Sequence, residues 1–263
     1  MIATQNNKTV LQNNVLSRNP AGAVKSFRTA ITITESDQET TTITYDVSVA
    51  CTEIFPSGKY SALVAMTNFL VNGFEPDLVM EELARKCRKP LETVHYLVGS
   101  NGIIIEILNH SRIVEDWYDT KMKLESEYTG DNFRKYIALN EAVILNPDAL
   151  LAALKKDIFI SQYFYPLYEG PFFEYTKKQV EQITFFNIGY EIDMLLSLNE
   201  NASLSGNVAI TKAIDNKYDH EAMPIEQYTS EYVLNQDLHI VNIKGVFENY
   251  GRKYNFAIAE KYV

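Results

Sequence analysis

Apolar and polar residues alternate through Thr41–Cys51. Ile43, Tyr45, Val47, Val49 and Cys51 take the odd positions, and Thr, Ser or Asp fill most of the even ones. A period of two marks a strand with one buried face. Phe27–Thr34 alternates as well, and Ser36-Asp37-Gln38-Glu39 between the two runs predicts a β-hairpin. Pro56-Ser57-Gly58 breaks the chain, after which Tyr60–Val71 is apolar enough for a buried strand, although its spacing also fits a helix. Pro76-Asp77 opens a short helix with Leu78, Val79, Leu83 and Cys87 on one side, closed before Pro90. Two β-rich runs, Leu91–Val98 and Ile103–Leu108, flank Asn101-Gly102 and predict a second hairpin.

The middle of the chain changes period. Ile113, Trp117, Leu124 and Tyr128 form the stripe of an amphipathic helix starting near Ser111. Thr129-Gly130-Asp131 ends it and starts a second. Asn146-Pro147-Asp148 starts a third, with an N-cap residue, proline at the first helical position and an acid on the positive end of the dipole. Leu150, Leu151, Leu154, Ile158 and Phe159 supply its apolar face. Strand patterns return from about Val180, in Phe185–Leu198, Asn207–Ile214, Glu231–Phe247 and Lys253–Val263, with a polar loop at 215–229. Runs of strands and helices, rather than strict alternation, predict an α+β fold: a largely antiparallel sheet from N- and C-terminal strands packed against a central block of helices. Residues 1–26, rich in Asn and Gln, are expected to form an extended arm. Residues 27–263 are expected to form a single domain, with 27–108 strands and a short helix, 109–178 helical and 179–263 strands.

Composition narrows the function classes. The chain of 263 residues is 46% apolar, enough to bury a substantial core. Its net charge of −10 leaves no basic face for phosphate contacts, so nucleic acid is not an expected partner. The densest basic group, Arg85-Lys86-Cys87-Arg88-Lys89, reads as a solvated helix end. The start lacks the apolar run of a secretory signal, and no stretch of about 18 apolar residues predicts membrane insertion. Two cysteines, Cys51 and Cys87, are too few for a disulfide framework, so a cytoplasmic protein with buried thiols is expected.

Asn101-Gly-Ile-Ile-Ile-Glu-Ile-Leu-Asn109, Ile113, Trp117, Tyr128-Thr-Gly130, Lys135-Tyr136, Asp157-Ile-Phe and Tyr163-Phe-Tyr-Pro-Leu-Tyr168 are similar to a set of uncharacterised, mainly Bacteroidetes proteins. The resemblance spans Pro76 to Tyr168 and rests on turns, an aromatic anchor and a helix break. It implies no activity, cofactor or functional residue.

The chain carries no phosphate-binding glycine loop, nucleophile elbow or His-Glu-x-x-His pair. No cofactor is expected. Asp215, Asp219, His220 and Glu221 put three carboxylates and an imidazole within seven residues, a weak candidate for a divalent cation and more simply a solvated acidic turn. His110, with Glu106 and Asp116 nearby in sequence, is at best a proton carrier and more simply a residue at a helix start; His95 and His239 read as strand residues. The densest aromatic segment contains Tyr163, Phe164, Tyr165, Tyr168, Phe172, Phe173 and Tyr175 around two prolines. Those rings fit either hinge packing or a binding surface of hot-spot composition.

Three function classes remain. The leading expectation is a non-enzymatic interaction module, an assembly component, adaptor or inhibitor-type protein that meets another protein or itself. The second is a binder of small hydrophobic ligands, in which a curved antiparallel sheet wraps the central helices. The third is an enzyme whose residues meet only in three dimensions.

Overall fold

The computed structural model describes residues 24–35, 39–183, 190–199, 207–215 and 225–261. Five strands form a first meander: β1 (Lys25–Thr34), β2 (Thr40–Ile54), β3 (Tyr60–Val71), β4 (Thr93–Val98) and β5 (Ile104–Ile107). Six more form a second: β6 (Thr176–Ile183), β7 (Tyr190–Asn199), β8 (Val208–Ile214), β9 (Ile225–Leu234), β10 (Ile240–Asn249) and β11 (Arg252–Glu260). The two meanders join into one 11-stranded sheet, because β11 pairs antiparallel with β1, Phe27 opposite Glu260 and Thr34 opposite Lys253.

This corrects the expected α+β balance. The sheet dominates, and the central helices, from 6 to 18 residues long, fill its concave side. They are α1 (Val79–Arg88), α2 (His110–Glu127), α3 (Asp131–Ile144), α4 (Pro147–Leu154) and α5 (Ile158–Tyr163). The apolar run predicted as one helix from Asn146 to Phe159 is two, because Asp157 caps a new helix by accepting from the Ile160 amide at 3.2 Å. Asn146 caps α4 as expected, accepting from Asp148 and Ala149. The Asn101-Gly102 hairpin forms with a longer turn than two residues, closed by the Gly99 amide donating to Ile103 O at 2.8 Å. The stretch Glu231–Phe247 is not one strand. Asn235 accepts from the Asp237 and His239 amides and Leu238 sits at φ 62, which turns the chain between β9 and β10. The polar loop expected at 215–229 gives way to β9 at Ile225.

Sheet curvature follows from three consecutive residues. Tyr163 packs on Phe27 of β1 with ring centroids 5.1 Å apart, Phe164 on Tyr96 of β4 at 6.1 Å, and Tyr165 on Tyr232 of β9 at 6.2 Å. In the sheet order β4 and β9 are six strands apart, about 29 Å in a flat sheet at a spacing of roughly 4.8 Å per strand. One short helix end can touch both only if the sheet curls around it. Its concave face is the core, built from Phe27, Tyr45, Val47, Ala62, Val64, Val94, Tyr96, Met194, Leu196, Ile243, Phe247 and Ile258.

Candidate functional site

A groove of about 880 Å³ opens between β2, β3 and α1. Ile43 and Tyr45 of β2, with Met66, Phe69 and Val71 of β3, form its apolar side. Pro76, Ala84, Arg85 and Arg88 line it from the loop before α1 and from the helix itself. Its shape depends on a bulge. Thr44 faces Leu70 and Asp46 faces Thr67, so Tyr45 alone opposes both Asn68 and Phe69. The extra residue shifts the alternation, placing Met66 and Phe69 on the same face although they are three apart. Asn68 takes the left-handed conformation at φ 54, which asparagine tolerates better than most residues, and its side chain donates to Asp46 Oδ2 at 2.8 Å. Phe69 stacks on Tyr45, with centroids 6.2 Å apart.

The groove is held in shape by polar contacts at its base. The Tyr45 hydroxyl donates to Asp157 Oδ1 at 3.1 Å, and the same carboxylate caps α5. Arg88 Nη2 lies 4.0 Å from Asp157 Oδ2 and donates to Met66 Sδ at 2.6 Å. Its guanidinium carbon stands 5.8 Å from the Tyr45 ring and 5.7 Å from the Phe69 ring. Burial lifts the Asp157 carboxyl above its usual range, with Arg88 opposing, and burial raises the Tyr45 hydroxyl well above its own. The expected solvated helix end is therefore split. Arg88 is built into the groove, Lys86 pairs with Glu82 at 3.0 Å and Glu127 at 2.6 Å, and Arg85 faces solvent.

A second polar cluster lies under the other half of the sheet. Lys212 Nζ donates to Glu181 Oε2 at 3.0 Å, to the Tyr228 hydroxyl at 2.6 Å and to Gln162 Oε1 at 3.4 Å. The Tyr228 hydroxyl donates to Glu181 at 2.9 Å and the Tyr232 hydroxyl to Gln162 at 2.9 Å. Lys212 Nζ also sits 3.9 Å over the Tyr165 ring. Burial lowers the Lys212 ammonium's pKa, with Glu181 opposing, and raises the Tyr228 and Tyr232 hydroxyls. Lys212, Gln162 and Tyr232 are fully buried, so this network ties α5 to β6, β8 and β9 rather than meeting a reactant.

The aromatic segment divides in the same way. Tyr163, Phe164, Tyr165, Tyr168 and Phe172 are buried, Tyr175 is half-buried and Phe173 is 69% exposed. All of these rings but Phe173 are turned wholly or partly into the core, so the interaction-module reading loses most of the surface that carried it. A curled sheet needs bulky rings at its centre, and this segment supplies them.

The enzyme set does not assemble. His110 Nε2 lies 2.8 Å from Ile144 O, linking α2 to the end of α3, while Glu106 is exposed and Asp116 stands 3.7 Å from Arg112. Asp219, His220 and Glu221 lie outside the described residues; Asp215 is buried and ion-paired with Lys178. Among the described residues no three His, Cys, Asp or Glu side chains gather where an ion could sit. His95 on β4 has Nε2 2.9 Å from Thr52 Oγ1. Cys51 is half-buried and Cys87 buried, and burial pushes the Cys87 thiol up to about 11. A further groove of about 630 Å³ runs beside α2, and its wall carries the ion pairs Lys86–Glu127 and Arg112–Asp116.

An antiparallel sheet curled round short helices, with an apolar groove at one side, is the architecture these residues define. No protein-family model and no curated protein matches the chain. Among solved structures it is similar to a LolA superfamily protein from Nitrosomonas europaea, at 7% identity and a TM-score of 0.21, covering 99% of this chain and 92% of the other. A domain ascribed to outer membrane lipoprotein sorting, from Vibrio parahaemolyticus, gives 7% identity and a TM-score of 0.22, over 98% and 91% of the two chains.

Proposed function

We propose that the protein binds a small hydrophobic ligand in the groove between β2, β3 and α1. The observation that carries this is the groove's size and lining: about 880 Å³, floored by Tyr45, Met66 and Phe69 and held in shape by Arg88 and Asp157. Ligand pockets are typically 300–1,000 Å³, mostly apolar, with a few fixed polar groups. Phe74, Leu78, Val79 and Met80 flank Pro76 in sequence and are 59–75% exposed, a run of apolar surface beside the opening. Leu78 and Val79, expected on the buried side of α1, face solvent; Leu83 and Cys87 anchor that helix instead.

The test is displacement of a fluorescent apolar dye by a series of medium-chain alcohols, with native mass spectrometry of the purified protein alongside. Saturable one-to-one displacement supports the reading. A protein that takes up neither dye nor alcohol refutes it.

A further inference from the structure

Arg88 stands at the base of the groove with most of its donors unfilled. A guanidinium carries five N–H donors. Among the described residues, the one hydrogen bond its side chain makes is to the Met66 thioether, a weak acceptor. Asp157 Oδ2, at 4.0 Å, is too far for another. That carboxylate is already engaged: the Tyr45 hydroxyl donates to it at 3.1 Å and the Ile160 amide at 3.2 Å. Asp157 is not among the residues that line the groove, whereas Arg88 is, with its side chain 34% exposed. The guanidinium carbon, the Tyr45 ring and the Phe69 ring form a triangle with sides of 5.8, 5.7 and 6.2 Å. The cation therefore meets the apolar wall at one corner. Ile43 and Val71, paired with each other, continue that wall farther along β2 and β3.

We infer that the groove's occupant is a single-chain amphiphile with a carboxylate head, the head on Arg88 and the chain along Tyr45, Phe69, Ile43 and Val71. The inference rests on the groove being a ligand site. A half-buried guanidinium pairs best with a planar anion, and a carboxylate takes two of its parallel donors at once. One guanidinium answers one charge, whereas a phosphate monoester brings nearly two. The acids of the groove do not occupy that position. Glu75 and Glu81 lie toward the far end of α1, about 10 Å or more from Arg88 along the helix axis. Glu92 is exposed and forms no ion pair with Arg88 among the described residues. The ten residues of α1 span about 15 Å, so a chain running from Arg88 toward Pro76 has a wall of medium length to lie against.

The experiment is calorimetric titration of four ligands sharing a twelve-carbon chain, each below its micelle concentration: dodecanoate, dodecyl phosphate, dodecyltrimethylammonium and dodecanol. Dodecanoate is expected to bind tightest, by about tenfold over dodecanol, as a charge-assisted pair allows. Arg88→Met is expected to abolish that preference while dodecanol still binds. Arg85→Gln, on the exposed side of α1, is expected to keep the preference. Should Arg88→Met fail to fold, the order of the four heads on the unaltered protein and on Arg85→Gln decides. Dodecanol, the phosphate or the ammonium binding as tightly as dodecanoate overturns the head-group assignment while leaving the groove reading intact. A preference that survives in folded Arg88→Met, or is lost in Arg85→Gln, does the same. Failure of all four ligands to bind overturns the groove reading itself.

Discussion

Lys212 Nζ and Glu181 Oε2 face each other at 3.0 Å across β8 and β6, and none of the lysine side chain reaches solvent. Such a pair contributes little net stability when intact, but removing one partner strands a buried charge. Lys212→Met is therefore expected to cost about 3–5 kcal/mol, whereas Lys212→Met with Glu181→Gln should recover a large share of the loss. Urea unfolding of the two variants checks this, and equal losses would contradict it.

The bulge at Asn68 makes a sharper prediction about the groove. Asn68→Gly keeps the left-handed backbone and loses only the contact to Asp46, so a change near 1 kcal/mol is expected. Asn68→Val forces a β-branched residue into that conformation and should cost more, with Phe69 displaced from Tyr45. Thermal unfolding together with dye binding separates the two: the glycine variant binds and the valine variant does not.

Filling the groove should abolish binding without harming the fold. Ala84 lines it from α1 and is exposed, so Ala84→Trp adds bulk without entering the core. Dye uptake is expected to fall at least tenfold while the unfolding midpoint shifts by no more than a few degrees. Undiminished uptake would place the ligand elsewhere.

Lys177 gives stability a pH dependence of known sign. Its ammonium donates to the carbonyls of Leu167 at 3.0 Å and Glu169 at 2.5 Å, and burial lowers its pKa from 10.5 to about 8. Between those values the unfolded chain binds a proton that the folded chain lacks. The lysine's contribution to stability therefore rises with pH across that window, and the buried charge is a cost below it. Urea unfolding at pH 7.5 and 9.5 should show the parent protein gaining on Lys177→Met.

Gly245 of β10 lies opposite Phe256 of β11, whose ring covers it so closely that an added Cβ would stand 2.1 Å from Cζ. Gly245→Ala is expected to destabilise by about 1–3 kcal/mol through overpacking. Pairing it with Phe256→Leu should relieve most of that, as read from denaturation midpoints.

Much of the fold was legible from period alone. The alternation in Phe27–Thr34 and Thr41–Cys51 gave β1 and β2, and the Asn146 cap gave the start of α4. β6 was harder because Lys177, Gln179 and Glu181 take its inward positions, and an alternating pattern whose inner members are polar resembles a loop. One signal of the buried network was present: in Val208-Ala-Ile-Thr-Lys-Ala-Ile, Lys212 falls in phase with Ile210. A lysine in apolar phase asks for a buried acid. The groove had no such signal, since it arises from a one-residue slip between β2 and β3 and from α1 folding back over them.

The eleventh strand in sequence occupies the sixth place in the sheet, stitched to β1 on one side and β10 on the other. During synthesis, then, the two meanders leave the ribosome with raw facing edges, and neither can be covered until residues 252–260 emerge. Contacts spanning so much of the chain close slowly. Residues 25–251 therefore wait on that seam before the native sheet can close.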